Sequence, residues 1–261
     1  RQLFGVSPLR DLPEFSSERF RDWFRRNPSP TTNHKVILLA DLFTDYHDPM
    51  VGKHAVRVLE SMGFEVMLSK VQELGRTFLS KGLLDKALET AETVVEGLAP
   101  FAQKNYPIIG LEPSEILTIR DEYLDLVPDA QLQSAKTLAS KTYTFEEFVA
   151  LHKDRFPTTR LNPTSKAPKV VLHGHCHTKA LIGNTATIKA LELAGYDVEA
   201  MDTGCCGMAG SFGYDQETYE LSMEIGWPRL FPQLGNLQPE TQICASGFSC
   251  RHQIKDGIGM G

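Results

Sequence analysis

The first 175 residues of this 261-residue chain contain no cysteine. All five cysteines follow in one later stretch: Cys176, Cys205, Cys206, Cys244 and Cys250. An odd number that includes two neighbours is a poor disulfide framework, because a bond between adjacent residues closes a strained ring. Clustered free thiols in a reducing compartment favour metal or redox chemistry instead. Any metal or redox chemistry is therefore expected in the second half of the chain.

The sequence also lacks a long hydrophobic run, a signal-peptide core and an excess of basic residues. No apolar stretch approaches the roughly 20 residues needed to span a bilayer. A formal net charge of -6 disfavours general binding to nucleic acid or to an anionic membrane surface. We expect a cytoplasmic protein that does not span a membrane. The chain begins with Arg1 rather than Met, which we interpret as a sign that it is part of a longer protein.

Hydrophobic patterning from Lys35 onward alternates between strand and helix. Short apolar runs predict buried strands at 36–39 and 64–68, and the residues between them predict a helix over 49–62. Gly63 stands where a glycine commonly ends a helix. This order of strand, helix and strand is a βαβ unit, which is typical of a parallel sheet.

The same unit recurs later in the chain. A strand is predicted at 170–172, a helix over 181–194, and a further strand from Tyr196. Nine residues from Val58 align without a gap with nine from Ala190, at an offset of 132 positions. A fixed offset indicates an internal duplication. The predicted fold class is therefore α/β, with two pseudo-equivalent halves that each contain a parallel sheet and flanking helices.

These patterns divide the chain into a lead-in helix and linker over 1–33, a first repeat over 34–165 and a second repeat over 166–261. The lead-in helix is indicated by an apolar stripe that includes Phe20 and Trp23. We expect it to pack onto the body of the protein.

Two features mark the junction between the repeats. Thr144 and Glu147 form a capping-box pattern, which predicts a helix over 144–156. The stretch 161–168 combines two prolines with polar residues and is predicted to be a linker.

Three cysteine-bearing segments follow predicted strands of the second repeat. Cys176 comes after the first strand, Cys205 and Cys206 after the second, and Cys250 after a strand predicted at 241–243. Ligands gather where the strands of a parallel sheet end, so these loops are expected to present four thiols to one point. We predict a thiolate-ligated metal centre there.

The loop over 204–213 supports this expectation, because it has a glycine at every third position. Glycines allow positive φ and bring backbone N–H groups close to a bound group. A helix predicted over 215–225 would point its positive N-terminal end towards thiolates. The same glycine series lacks the Lys-Ser/Thr of a phosphate-binding loop and the spacing of a dinucleotide fingerprint, so a nucleotide site is disfavoured.

Other side chains near Cys176 and Cys250 leave alternatives open. Cys244, His175 and His177 are further candidate ligands, although a lone cysteine is more often a small buried hydrophobe and a lone histidine more often structural. A Cys176/His nucleophile pair, as in a thiol hydrolase or transferase, lacks an evident orienting group or oxyanion motif.

In the first repeat the corresponding positions carry carboxylates. The offset of 132 places Glu73 opposite Cys205, and an offset of 135 places Glu115 opposite Cys250. The two glutamates are a candidate carboxylate pair, but ordinary solvated loop carboxylates are the favoured interpretation.

The order Cys, then Cys-Cys-Gly, then Cys resembles the cysteine-rich CCG domain of three oxidoreductases: the iron-sulfur component of glycolate oxidase, anaerobic glycerol-3-phosphate dehydrogenase and the catalytic component of heterodisulfide reductase. The resemblance covers nearly the whole chain and is carried by 111–114, 173–179, 204–214 and 249–253. The chain is similar in particular to the C-terminal part of fusion proteins in which a D-lactate dehydrogenase-like, FAD-linked oxidase module precedes a ferredoxin-like module.

The resemblance implies an iron-sulfur cluster, such as a 4Fe-4S cluster, held by Cys176, Cys205, Cys206 and Cys250, with zinc as the alternative. FAD would bind to the missing part of the parent chain. In the closing Cys-x-x-Cys motif of the family, Gly247 replaces the first cysteine. The glutamates of the first repeat argue against a thiolate cluster there, so one metal centre is expected, in the second repeat.

The function implied is that of an electron-transfer domain in an FAD-linked, iron-sulfur 2-hydroxy-acid oxidoreductase of the D-lactate or glycolate type. Its expected partners are the flavin and ferredoxin-like modules of the parent chain and a downstream electron carrier. The alternative is a structural zinc-binding or metal-free docking module of the same oxidoreductase, because four thiolates also satisfy tetrahedral zinc.

Overall fold

A computed structural model of the chain describes residues 5–157 and 167–259, which form two compact units. The N-terminal unit comprises residues 14–157, and the C-terminal unit comprises residues 167–259 together with 5–13. The predicted lead-in segment is thus divided between the two units. Most of the predicted linker at 161–168 lies outside the described residues.

The N-terminal unit is built on a parallel sheet of four strands, in the order β2-β1-β3-β4. The strands are β1 (Lys35–Leu38), β2 (Glu65–Leu68), β3 (Ile108–Gly110) and β4 (Thr142–Thr144). Ile37, Leu38, Ile108 and Ile109 are almost completely buried, as expected for central parallel strands that helices cover on both faces. The helices are α1 (Phe20–Arg26), α2 (Leu42–Tyr46), α3 (Pro49–Ser61), α4 (Arg76–Ser80), α5 (Leu84–Gln103), α6 (Pro113–Arg120), α7 (Tyr123–Leu126), α8 (Asp129–Ala139) and α9 (Phe145–Leu151).

The C-terminal unit is built on a parallel sheet of three strands, in the order β6-β5-β7. The strands are β5 (Lys169–Leu172), β6 (Asp197–Ala200) and β7 (Gln242–Cys244). The helices are α10 (Cys176–Leu181), α11 (Thr185–Leu193), α12 (Tyr219–Gly226), α13 (Leu230–Gly235) and α14 (Phe248–Ile258). Because β5 lies between its two neighbours, the loops that follow all three strands meet at one edge of this sheet.

Several predictions of local structure are confirmed. Both sheets are parallel, the fold is α/β, and α3 matches the helix predicted over 49–62. The capping box is formed: Thr144 accepts a hydrogen bond from the Glu147 backbone, and the Glu147 carboxylate accepts one from the Thr144 backbone. The helix it begins, α9, ends at Leu151, five residues earlier than predicted.

The stretch after β5 differs from the prediction. The sequence pattern predicts one helix over 181–194, whereas α10 already begins at Cys176 and a break at 182–184 separates it from α11. The reason is local: the His175 side chain accepts a hydrogen bond from the His177 backbone N–H and so caps α10. Gly183, at φ +73°, allows the chain to turn between the two helices.

Among residues 5–157 and 167–259, no helix is both long enough and apolar enough to cross a lipid bilayer.

Arg10 ties residues 5–13 to the rest of the C-terminal unit. Its side chain is 1% exposed. Its guanidinium pairs with Asp256 at 3.0 Å and donates to Gln253 Oε1 at 2.7 Å. It also lies over the rings of Tyr214 and Tyr219, at 5.6 and 5.2 Å from their centroids. The short N-terminal segment is therefore part of this unit's core.

We predict that Arg10→Met destabilises the C-terminal unit by about 2–3 kcal/mol, because it leaves Asp256 and Gln253 without their buried partner. Urea unfolding measures this change. The matched control is Arg229→Met, since Arg229 is well exposed and lies 3.9 Å from the exposed Asp202. That control should cost less than about 1 kcal/mol. Equal losses for the two variants would contradict the role assigned to Arg10.

Candidate metal centre

Four cysteines meet at the edge of the sheet where β5, β6 and β7 end. Cys176 is the first residue of α10, after β5. Cys205 and Cys206 lie in the loop after β6, and Cys250 lies in the first turn of α14, after β7. All five cysteines of the chain are free thiols. The convergence expected for the three loops is thus present in the C-terminal unit.

The four thiols form one line of hydrogen-bond contacts. Cys205 interacts with Cys176 on one side and with Cys206 on the other, and Cys206 in turn interacts with Cys250. Cys176 and Cys205 are exposed, whereas Cys206 and Cys250 are buried. The buried pair belongs to the apolar core of the unit, which also contains Met208. The line therefore runs from the surface into the core.

Because of these contacts, the direction of the pKa shift alternates from one thiol to the next along the line. Hydrogen bonds from Cys176 and Cys206 lower the pKa of Cys205, and the Cys206 bond lowers the pKa of Cys250. The same bonds raise the pKa of the donors, Cys176 and Cys206. Cys250 also lies in the first turn of α14, where the helix dipole favours a thiolate. The contacts thus favour the thiolate, the metal-binding form of cysteine, at Cys205 and Cys250.

A close backbone approach fixes the Cys-Cys-Gly turn. Gly207 has φ +95°, and a Cβ there would lie 2.1 Å from the Ser222 carbonyl oxygen. Only glycine fits this position. Its N–H donates to Cys205 Sγ at 3.3 Å. The glycine expected to bring a backbone N–H towards the site does so.

A buried relay supports the turn from behind. The Ser222 hydroxyl donates to the Gly207 carbonyl at 2.8 Å, and Gln253 Nε2 donates to the Ser222 carbonyl at 3.0 Å. Gln253 Oε1 accepts from Arg10. Sequence reasoning missed this relay, because its members are far apart in the chain and carry no motif.

The contacts of Lys179 were also not indicated by the sequence motifs. Its ammonium donates to the carbonyls of Thr203 and Gly204, which lead into the cysteine pair. One signal was present in the sequence: a lysine three residues after Cys176, on the same predicted loop. The contact joins α10 to the loop that carries Cys205.

The histidines occupy different places. The buried His173 forms a hydrogen bond between its Nδ1 and Thr203 Oγ1, at 2.7 Å. One of its ring nitrogens lies within 4.8 Å of both Cys206 Sγ and Cys250 Sγ. His175 and His177 form a second close group with Cys176. Among the described residues, these are the two groups in which three possible metal-ligand atoms of His, Cys, Asp or Glu lie within 4.8 Å of one another.

Gly247 stands where the resemblance to the CCG domain predicts a cysteine, and it lies against one of these histidines. A Cβ at this position would be 2.4 Å from Cδ2 of His175 and 3.4 Å from Cys250 Sγ. The His175 ring thus fills the space that a side chain would need. Cys244 ends β7 and is half-buried, and it belongs to neither three-ligand group.

The donor set suits a soft metal. Thiolates and imidazoles are the ligands that zinc and iron-sulfur clusters prefer, whereas magnesium and calcium prefer oxygen. Four converging thiols with a histidine at the buried end therefore fit a thiolate-ligated ion or cluster.

The corresponding edge of the N-terminal sheet carries carboxylates. Asp41, Glu112 and Glu115 are buried there. The interpretation of Glu115 as a solvated loop carboxylate is wrong: it lies on α6, is 7% exposed, and its Oε2 has no hydrogen-bond partner. Burial, followed by the nearby charges of Glu73 and Asp41, raises the pKa of Glu115 well above its ordinary value. Glu73 itself is half-buried.

No protein-family model matches the chain. The chain is 31% identical over 255 residues to one component of the anaerobic glycerol-3-phosphate dehydrogenase of Escherichia coli, and the match covers 96% of this chain and 62% of that protein. It is 29% identical over 231 residues to D-2-hydroxyglutarate dehydrogenase of the same organism, covering 87% of this chain and 21% of that protein. Lactate utilization protein A of Halalkalibacterium halodurans is 27% identical over 186 residues, covering 68% of this chain and 72% of that protein.

The chain is thus similar to a dehydrogenase, to a component of a second dehydrogenase and to a lactate utilization protein. It spans about a fifth of the D-2-hydroxyglutarate dehydrogenase and less than two thirds of the glycerol-3-phosphate dehydrogenase component. The resemblance to anaerobic glycerol-3-phosphate dehydrogenase that the sequence motifs indicated is confirmed at this level. The assignment to the CCG domain stays a prediction.

The buried carboxylates of the N-terminal unit make its stability depend on pH. Burial raises the pKa of Asp41 from 3.8 to about 6, so the folded unit binds more protons than the unfolded chain between these values. Stability is therefore expected to fall as pH rises from about 4 to about 6, by the order of 2 kcal/mol. Asp41→Asn should flatten this slope, because the amide does not titrate. The fold should be kept, since the amide oxygen can still accept the hydrogen bond from the Thr44 backbone N–H.

Amide hydrogen exchange of β1 at several pH values measures the effect. Asp22→Asn is the control, since Asp22 is exposed on α1, and it should keep the slope of the unaltered protein. An unchanged slope in Asp41→Asn would contradict the assignment. Glu115 acts in the same direction, so some slope is expected to remain.

Proposed function

We propose that the C-terminal unit holds one iron-sulfur centre through Cys176, Cys205, Cys206 and Cys250, and that the chain is the electron-transfer part of an FAD-linked oxidoreductase. The observation that carries this proposal is the continuous line of four thiols at one edge of the sheet. A line of this kind is hard to explain as packing, because two of its members are exposed.

The surrounding residues suit a redox centre. The Gly207 N–H donates to a thiol sulfur, and hydrogen bonds to sulfur are one means by which proteins set the potential of such a centre. The apolar core around Cys206 and Cys250 keeps water from the inner side, while Cys176 and Cys205 leave the outer side open. When bound, an iron-sulfur cluster supplies one-electron transfer. The open side is where a partner would approach to exchange that electron.

The relatives support the class of reaction. Their names refer to glycerol-3-phosphate, D-2-hydroxyglutarate and lactate, each of which has a secondary alcohol that a dehydrogenase can oxidise. We propose a 2-hydroxy acid of the D-lactate or glycolate type as the electron donor. FAD and ferredoxin-like clusters would lie on other parts of the parent protein, and a further carrier would accept the electrons. Five free thiols suit the cytoplasm, which is reducing.

We also propose that residues 34–165 and 166–261 arose by duplication. Support comes from the strand orders, since β2-β1-β3 and β6-β5-β7 each place the first strand of the unit between the next two along the chain. In this proposal the first copy has carboxylates where the second has thiols.

Metal analysis of protein prepared without oxygen tests the main proposal. Iron and sulfide in equal amounts, with visible charge-transfer absorption, are expected. Cys205→Ser and Cys206→Ser should each greatly lower the metal content, because each removes a ligand. Cys244→Ser is the matched control and should retain it, since Cys244 lies outside the groups of close ligand atoms.

The other results would contradict the proposal in distinct ways. Zinc alone, in a colourless protein, would favour a structural site and exclude electron transfer. Unchanged metal in both serine variants would refute the ligand assignment. Loss of nucleophilic activity on alkylation of Cys176, with the metal retained, would favour a thiol enzyme.

A further inference from the structure

His173 is held rigidly at the buried end of the line of thiols. It directly follows β5, and its backbone N–H donates to the Cys244 carbonyl of β7 at 2.9 Å. Its side chain is 1% exposed. The contact with β7 therefore fixes the backbone of this residue.

The ring contacts both sides of the site. Nδ1 lies 2.7 Å from Thr203 Oγ1. A ring nitrogen also lies within 4.8 Å of the Sγ atoms of Cys206 and Cys250. Metal-ligand distances of about 2.0–2.3 Å place two donors of one tetrahedral ion roughly 3.3–3.8 Å apart. The three atoms are therefore close to the spacing that a shared metal requires.

The partner of Nδ1 is the kind that a ligating histidine needs. A histidine that binds metal through one nitrogen carries its proton on the other and donates it to an oxygen, which fixes the ring. Thr203 Oγ1 can accept a hydrogen bond from Nδ1–H, which leaves the Nε2 lone pair of His173 for the metal.

His175 has the opposite arrangement. Its Nδ1 accepts from the His177 backbone N–H, so the proton of its neutral ring is on Nε2. That nitrogen is a hydrogen-bond donor and has no free lone pair. His175 therefore suits donation to a nearby sulfur rather than ligation.

We propose that His173 is a nitrogen ligand of the metal centre, through Nε2, beside Cys206 and Cys250. The inference rests on the proposed function, because it requires that a metal binds. The centre would then combine thiolates with one neutral imidazole. Compared with a thiolate at the same position, a neutral imidazole gives a cluster less negative charge and a higher reduction potential. Thr203 would be a positioning residue that orients the ring.

The test is pulsed electron paramagnetic resonance of the whole chain, loaded anaerobically with iron and sulfide and then reduced. A nitrogen coupling is expected, and it should change when the protein is grown with ring-15N histidine. His173→Cys should keep the metal, lose this coupling and have a lower reduction potential. Thr203→Val should retain the coupling and bind metal about 10–100-fold more weakly.

His252→Gln is the matched control, because His252 is a histidine of the same unit whose Nδ1 lies 3.2 Å from the Tyr214 hydroxyl. It should keep the coupling. If the unaltered protein takes only zinc, Co²⁺ in its place allows the same measurement.

The outcomes separate the two proposals. A bound iron-sulfur centre without a nitrogen coupling, or with a coupling that survives in His173→Cys, overturns the ligand role of His173 and leaves the iron-sulfur proposal standing. A chain that binds no metal under these conditions defeats both.

Discussion

The candidate site depends on one close approach, that of the Gly207 backbone to the Ser222 carbonyl. A Cβ would be 2.1 Å from that oxygen, so the turn after the cysteine pair can form only with glycine. Once formed, the turn directs its N–H at Cys205 and holds Cys206 in the core. Gln253 donates a hydrogen bond to the Ser222 carbonyl, and Arg10 donates one to Gln253. A residue near the N-terminus of the chain thus stabilises the turn that carries the thiols. The rigidity of the site is therefore a property of the whole C-terminal unit.

The line of thiols also has a direction. Its outer members are exposed and its inner members lie among apolar side chains, with His173 at the inner end. Burial alone would raise the pKa of Cys250 and disfavour its thiolate form. Two features offset this cost: the Cys206 thiol donates to Cys250 and lowers its pKa, and α14 begins beside it. The fold thus keeps a ligating form available where water is excluded.

The sequence was sufficient to predict those features that arise from local pattern or from simple geometry. The parallel sheets followed from the order of strands and helices, the α9 cap from Thr144 and Glu147, and the meeting of the cysteines from their places after strands. The cap of α10 was not predictable, because histidine is not among the residues that commonly occupy an N-cap. Arg10 was missed because its partners lie about two hundred residues away. Burial of Glu115 was missed because a carboxylate is rarely fully buried without a partner.

The contrast between the two sheet edges is chemical rather than architectural. Both edges bring side chains from loops after parallel strands, but one presents thiols and the other carboxylates. Buried thiols can share protons along a line and are ready to bind a soft metal when the protons leave. Burial and neighbouring acidic groups instead raise the pKa values of Asp41 and Glu115, so these carboxylates keep their protons to a higher pH than exposed carboxylates do. The N-terminal edge can therefore reduce its buried charge by binding protons, whereas the C-terminal edge has chemistry that a metal would complete.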